Sequence, residues 1–175
     1  DKESLEELTD HKRIVAAKDR DSSNAASTIL GTIAKNGVIR TENVKAAEAA
    51  TLFEILQQDA NVALANELAL FCEKARADYL EARKLLDTDA HYTLRLPTLT
   101  GGSLKGEPYL LLEEAENLGV RLRISTIARE INEEIVRHVV NLTKDALRNC
   151  GKTMRRAKIS LLGFSQIPNT KSSIK

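Results

Sequence analysis

Residues 44–86 read VKAAEAATLFEILQQDANVALANELALFCEKARADYLEARKLL and contain neither glycine nor proline. The breaker-free run is longer still, from Val38 to Leu96. Ala, Leu, Glu, Gln, Lys and Arg dominate it, and these residues lose least on entering a helix. The run predicts a helix from about Val44 to Leu86, capped by Asn43. Its apolar residues are not confined to one stripe. Leu52, Phe53, Ile55 and Leu56 cover most of a turn, as do Leu68, Ala69, Leu70 and Phe71. A helix apolar nearly all round needs cover on several faces. In a chain of 175 residues, a second copy is the natural source of that cover, so a homodimer is expected.

Shorter elements flank the long helix. Residues 12–17 (KRIVAA) read as a strand. Ser22 and Ser23 then precede Ala26, Ile29, Ile33 and Ala34, which predicts a serine-capped helix ending near Asn36-Gly37. Residues 38–41 (VIRT) read as a second strand, giving a βαβ-like fragment too small to be a sheet domain. Residues 90–106 read as a loop with Pro97, Gly101, Gly102 and Gly106. One helix is expected from Pro108 to Leu118, with Gly119 as its stop. Another is expected from Ser125 to Cys150. In it Ile127, Ile131, Ile135, Val139, Leu142, Ala146 and Cys150 form a core-facing stripe, and Gly151 closes it. Residues 157–162 (AKISLL) read as a buried strand. The expected fold class is mainly α: a helical dimerisation domain with one long core helix, flanked by α/β fragments.

Composition excludes several functions. The hydrophobic fraction of 42% and charged fraction of 29% are those of a folded soluble chain. With no Trp and three each of Phe and Tyr, neither an aromatic-rich sandwich nor a base-stacking platform is expected. Net charge is +1, so the chain as a whole is no polyanion binder. Cys72 and Cys150 lie far apart and fit a reducing cytoplasm. No apolar stretch approaches a membrane span. The first residue is Asp1 rather than Met, as in an excised piece.

The candidate motifs are weak one by one. Gly101-Gly102-Ser103 can let a ligand approach backbone, but by itself it is weak evidence and a plain turn is the favoured reading. It is no dinucleotide or phosphate-loop fingerprint, because no strand precedes it at the right place. His11, His91 and His138 do not cluster, Cys72 reads as a buried structural thiol, and no metal site is expected. Glu113-Glu114 and Glu133-Glu134 point apart on their helices and form no acid/base pair. From Gly151 to Lys175 there are six Lys/Arg and no acids. That end could bind phosphates, or stand as a solvated tail.

Several stretches together resemble one family, the NAD-dependent nucleotide-sugar 6-dehydrogenases, which include UDP-glucose dehydrogenase and UDP-N-acetylmannosamine dehydrogenase. The stretches are Asn61 to Leu70 (NVALANELAL) with Cys72-Glu73-Lys74, Thr88-Asp89, Gly101-Gly102-Ser103, and Pro108-Tyr109-Leu110-Leu111. Ala128-Arg129-Glu130-Ile131-Asn132, Lys158 to Gly163, and Pro168-Asn169-Thr170 complete the series. Their shared order is far more specific than any one of them.

The resemblance implies a layout and a chemistry. Residues 1–42 would end an NAD-binding Rossmann-type domain, 43–150 would be the central dimerisation domain, and 151–175 would begin a UDP-binding α/β domain. Leu52, Leu56, Val62, Asn66 and Leu70 would lie in the dimer core. Gly101, Gly102 and Ser103 would contact a UDP-sugar. NAD is the family's cofactor, but these residues alone are expected to bind none. The family oxidises a sugar alcohol to a carboxylate through a covalent cysteine intermediate. The loop that would carry this cysteine reads Gly101 to Pro108 (GGSLKGEP) and has none. The family's catalytic lysine and asparagine positions hold Thr51 and Ile55. An arginine position holds His91, and the C-terminal lysine and aspartates correspond to Ile167, Lys171 and Ser172. No catalytic residue carries over, so the chain as it stands is expected to be inactive.

Two other functions remain open on the sequence. One is a non-catalytic helical scaffold that pairs with an intact dehydrogenase subunit. The other is a nucleic-acid binder using residues 152–175, which is disfavoured because no reading helix has a basic face.

Overall fold

A computed structural model describes residues 9–86, 94–99 and 107–162. The elements are β1 (Arg13–Ala16), α1 (Arg20–Gly31), β2 (Val38–Thr41), α2 (Val44–Ala75), α3 (Tyr79–Leu86), α4 (Glu107–Asn117) and α5 (Arg123–Asn149). The fold is mainly α. Backbone contacts divide it into two units, one reaching Phe53 and the other beginning at Glu54, inside α2. Among the described residues, no helix is long and apolar enough to cross a membrane.

In the first unit, β1 and β2 pair in parallel, with Arg13 opposite Val38 and Ala16 opposite Thr41. α1 is the crossover between them, and Val15 and Ala34 are buried. The serine cap expected for α1 is corrected. Asp19 caps it, its carboxylate accepting from Ser22 N–H at 2.7 Å. A carboxylate at the first turn meets both the free N–H groups and the positive end of the helix, where serine meets only the former. α1 also ends at Gly31, short of Asn36-Gly37. Asn43 caps α2 as expected, accepting from Ala46 N–H at 3.0 Å.

The long helix is the larger correction. It does not run unbroken to Leu86 but stops at Ala75. Arg76 takes a left-handed φ of 55°, and Ala77 N–H reaches back to the Cys72 carbonyl at 2.9 Å. That is the Schellman turn that satisfies the last carbonyls of a helix. The same turn ends α4 and α5. There it uses Gly119 (φ 71°) and Gly151 (φ 69°), with Val120 N–H on Ala115 and Lys152 N–H on Leu147. Asp78 then starts α3 by accepting from Leu80 and Glu81 N–H at 2.8 and 3.3 Å. Asp78→Ala is expected to lower stability by about 1 kcal/mol, read as a shift in urea midpoint with unchanged slope.

Two further expectations fail. Residues 157–162 form no strand among the described residues, and Leu161 and Leu162 are 91% and 96% exposed. A strand exists only with a ladder partner, and these residues have none among those described. The apolar stripe of α5 is also not a core stripe along its length. Ile135 is buried, but Ile127, Val139 and Leu142 are about half exposed. The side chains that α5 does bury are Ala128, Arg129, Asn132 and Ile135, so half of its inner surface is polar.

Candidate functional site

Asp59 and Asn66 stand seven positions apart on α2, which puts them on one face. Arg129 and Asn132 stand three apart on α5 and likewise share a face. These four polar side chains are all 4% exposed or less. Burial this complete demands partners for every polar atom, and they supply one another. Asn132 Nδ2 donates to the Asp59 carboxylate at 2.9 Å and to the Asp59 backbone carbonyl at 3.0 Å. Asn66 Nδ2 donates to Asn132 Oδ1 at 3.0 Å. Arg129 Nε lies 2.9 Å from the second Asp59 oxygen. The approach there is that of an ion pair rather than an aligned hydrogen bond. Burial pushes the Asp59 carboxyl above its ordinary value, and Arg129 and Asn132 draw it back.

The network touches residues on both sides of 100–106, by backbone on one side and by side chain on the other. On one side Asn66 pairs with the backbone of Thr98, accepting its N–H at 2.9 Å and donating to its carbonyl at 3.0 Å. Segment 94–99 is further held by α3. Tyr79 Oη donates to the Arg95 carbonyl, and Arg83 Nε to the Leu94 carbonyl, both at 2.6 Å. On the other side Pro108 is fully buried. The Arg129 guanidinium lies over the Tyr109 ring, 5.9 Å from its centre. Tyr109 Oη donates to Glu133. That bond, followed by burial, raises the phenol above its ordinary value.

Gly101, Gly102 and Ser103, the expected substrate contacts, lie outside the described residues, as do His91, Ile167, Lys171 and Ser172. Of the expected dimer core, Val62 and Asn66 are buried within the single chain, while Leu52, Leu56 and Leu70 are half-buried. Exposed on α2 are instead Phe53 at 62%, Leu64 at 46% and Phe71 at 67%. Thr51 is exposed and its hydroxyl donates to the Ala47 carbonyl. Ile55 is half-buried. Cys72 is a buried free thiol and Cys150 an exposed one. His138 pairs with Glu73 at 3.0 Å. Among the described residues no cluster of His, Cys, Asp or Glu could hold a metal.

The described residues do not fit the family's nicotinamide cofactor. A dinucleotide pyrophosphate needs glycine-lined backbone at a βα turn and a free helix N-terminus. Here β1 enters α1 through Ala17-Lys18-Asp19, and the Asp19 carboxylate already occupies that helix terminus. It is held there below its ordinary value by the Ser22 N–H, and it would repel a phosphate. A cavity of about 720 Å³ between α2 and the start of α5 is walled by Leu56, Ala60, Leu122 and Ile127, with Arg121 and Arg123 also lining it. It holds no acid/base pair.

Sequence reasoning marked the stretches containing Asn66, Arg129 and Asn132 but gave the network no role, and it missed Asp59. The available signal was polar residues at helical spacing on faces otherwise made of Ala, Val and Ile.

Comparison with known proteins agrees with this architecture. Residues 45–134 match the model of the UDP-glucose/GDP-mannose dehydrogenase family, central domain. The UDP-N-acetyl-D-mannosamine dehydrogenase of Pyrococcus horikoshii is 31% identical over 164 residues, 92% of this chain and 38% of that protein. Protein CapL of Staphylococcus aureus is 28% identical, over 87% of this chain and 36% of its own length. The solved structure of the P. horikoshii UDP-D-ManNAc dehydrogenase superposes with a TM-score of 0.76 at 30% identity. It covers 85% of this chain and 35% of that one. The chain thus spans a little over a third of the length of these relatives. The match takes in both helices that carry the network, α2 and the first part of α5, and on it the chain belongs to the UDP-glucose/GDP-mannose dehydrogenase family, of which it carries the central domain.

Proposed function

We propose that these residues form the dimerising core of a UDP-sugar 6-dehydrogenase and do not themselves oxidise the sugar. The observation that carries this reading is a contrast on α2. The scaffold residues Asp59 and Asn66 are in place and partnered. The positions that the family resemblance makes catalytic hold Thr51, whose hydroxyl is engaged by its own helix, and Ile55, which can neither donate nor accept. Without a thiolate in the Gly101–Pro108 stretch there is also nothing to hold an aldehyde. Gly101, Gly102 and Ser103 remain the stretch proposed to contact a UDP-sugar, with NAD bound by residues other than these. Cytoplasmic location is part of the same proposal.

The expected result is no NADH formation from UDP-N-acetylmannosamine or UDP-glucose by the pure chain. Loss of a covalent nucleophile removes about six orders of magnitude of rate. Steady turnover that scales with chain concentration would sink the proposal.

The exposed Leu64 and Phe71, which would serve a homodimer, would serve equally a second reading, a scaffold that pairs with an intact dehydrogenase subunit. Mixing the chain with a full-length relative and measuring mass separates the two. A mixed species of one chain and one subunit supports pairing, and unchanged separate masses reject it.

A further inference from the structure

α3 is too short to stand by itself. It has eight residues and buries none of its side chains, whereas a lone helix needs about 12–15 residues to hold in water. Nor does it continue α2. The Arg76 turn closes the last carbonyls of α2, and Asp78 takes the first free N–H groups of α3. The two helices share no ladder bond, so α3 can melt without unravelling α2.

What α3 does have is a grip on segment 94–99. Tyr79 and Arg83 stand four apart on one face of α3, and they donate to two successive carbonyls, those of Arg95 and Leu94. The far end of the segment is fastened to α2 instead. There the Thr98 N–H and carbonyl are both bonded to the amide of Asn66, which is fully buried. Between the two attachments stand only Leu96 and Pro97, both exposed. Proline fixes its own φ and restricts the residue before it. The link is therefore stiff, and a displacement at Arg95 is passed on to Thr98 rather than absorbed on the way.

We infer that α3 and segment 94–99 form one clasp, which opens and closes as a unit while the polar core between α2 and α5 stays shut. Opening releases the carbonyls of Leu94 and Arg95 and the backbone of Thr98 together, and α3 melts with them. The bonds from Asn66 to Asn132 and from Asn132 to Asp59 do not pass through the clasp, so they survive its opening. This is local unfolding of a contiguous cooperative unit, at a free energy below that of the whole chain.

Residue-resolved hydrogen exchange of the whole chain under native conditions tests this from both ends. In the wild type, the Thr98 N–H and the amides of Lys84 to Leu86 should exchange through one shared opening, and be less protected than the middle of α2 and α5. Tyr79→Phe with Arg83→Met removes the two donors on α3 and leaves the Thr98 bonds untouched. It should lower protection about tenfold or more at Thr98 and in α3 alike. Pro97→Gly removes no hydrogen bond and acts from the other end, by giving the opened segment more freedom. It should lower protection of the α3 amides about two- to tenfold, together with Thr98. All three substituted side chains are exposed or half-buried, and unchanged protection in α2 and α5 shows that each variant is folded. Protection at Thr98 that ignores the α3 variant, or protection in α3 that ignores Pro97→Gly, overturns the inference, because the two ends then open separately. Protection lost equally along α2 and α5 overturns it as well, since the clasp would then open only with the whole chain.

Discussion

Arg129→Met lowers the free energy of unfolding by about 3–5 kcal/mol, because it strands the Asp59 carboxylate in the core without its cation. Asp59 and Arg129 are 1% and 4% exposed, so neither can borrow water as a substitute partner. The cost belongs to breaking the pair, not to lacking it. Replacing both ions with apolar groups of similar volume removes the stranded charge, so Asp59→Leu with Arg129→Met should regain part of the loss, short of the cost of the Asn132 N–H that then lacks its carboxylate acceptor. The loss also depends on pH in a defined direction. Burial already holds the Asp59 carboxyl above its ordinary value of 3.8, and Arg129 opposes this shift. Without Arg129 the folded-state value rises further. A carboxyl raised in this way binds its proton more tightly folded than unfolded. It therefore costs nothing at low pH and destabilises as pH rises from its ordinary value through the folded one. The gap between wild type and Arg129→Met should be wide at pH 7 and narrow near pH 4. Urea unfolding at one fixed chain concentration reads both effects. A gap under 1 kcal/mol at pH 7, or one that widens on acidification, would show that Arg129 does not neutralise Asp59.

The same pair shows where sequence reading stops. Helix starts were legible where the capping side chain has a known preference, as at Asn43. Two helix ends were legible because Gly119 and Gly151 announce a left-handed residue. The third identical turn was missed because Arg76 occupies the left-handed position, which only glycine advertises. Burial was harder still. Leu161 and Leu162 look like core residues but are covered by nothing among the described residues. Asp59 and Arg129 look like surface residues but lie deep inside. Periodicity reports which residues share a face. It does not report what the face meets, so the spacing of Asp59 with Asn66 and of Arg129 with Asn132 does not say that two helices 70 positions apart bring them together. Of the candidate site, the family resemblance brought Asn66 and the Ala128–Asn132 stretch into view. Only the fold joins them to Thr98.

Leu64→Asp with Phe71→Glu is expected to convert a dimer of twice 19.3 kDa into a monomer of unchanged helicity. The argument begins on α2. Ala60, Leu64, Phe71 and Ala75 follow at steps of four and seven, so they form one stripe. That stripe lies away from the face bearing Asp59, Val62, Ala63 and Asn66, which α5 covers through the polar network. Phe53, seven positions before Ala60 and 62% exposed, opens the stripe, and the two large members beyond it are Leu64 and Phe71, 46% and 67% exposed. A two-fold axis would bury each of them twice. Burying a Leu or Phe side chain yields about 1.5–3 kcal/mol, so four half- to two-thirds-exposed side chains supply several kcal/mol before their neighbours add to it. That is on the scale of the cost of bringing two chains together, so further contact must make up the affinity. Four carboxylates at the same positions reverse the balance, since each would have to be desolvated beside the others. Phe71 is mostly exposed and Leu64 about half exposed in the single chain, so the helices should persist and circular dichroism should change little. Light scattering at about 10 μM, where a micromolar dimer is largely assembled, decides the matter. A wild-type chain of 19.3 kDa at that concentration, or a variant that keeps the double mass, would move the dimer interface off this stripe or remove it altogether.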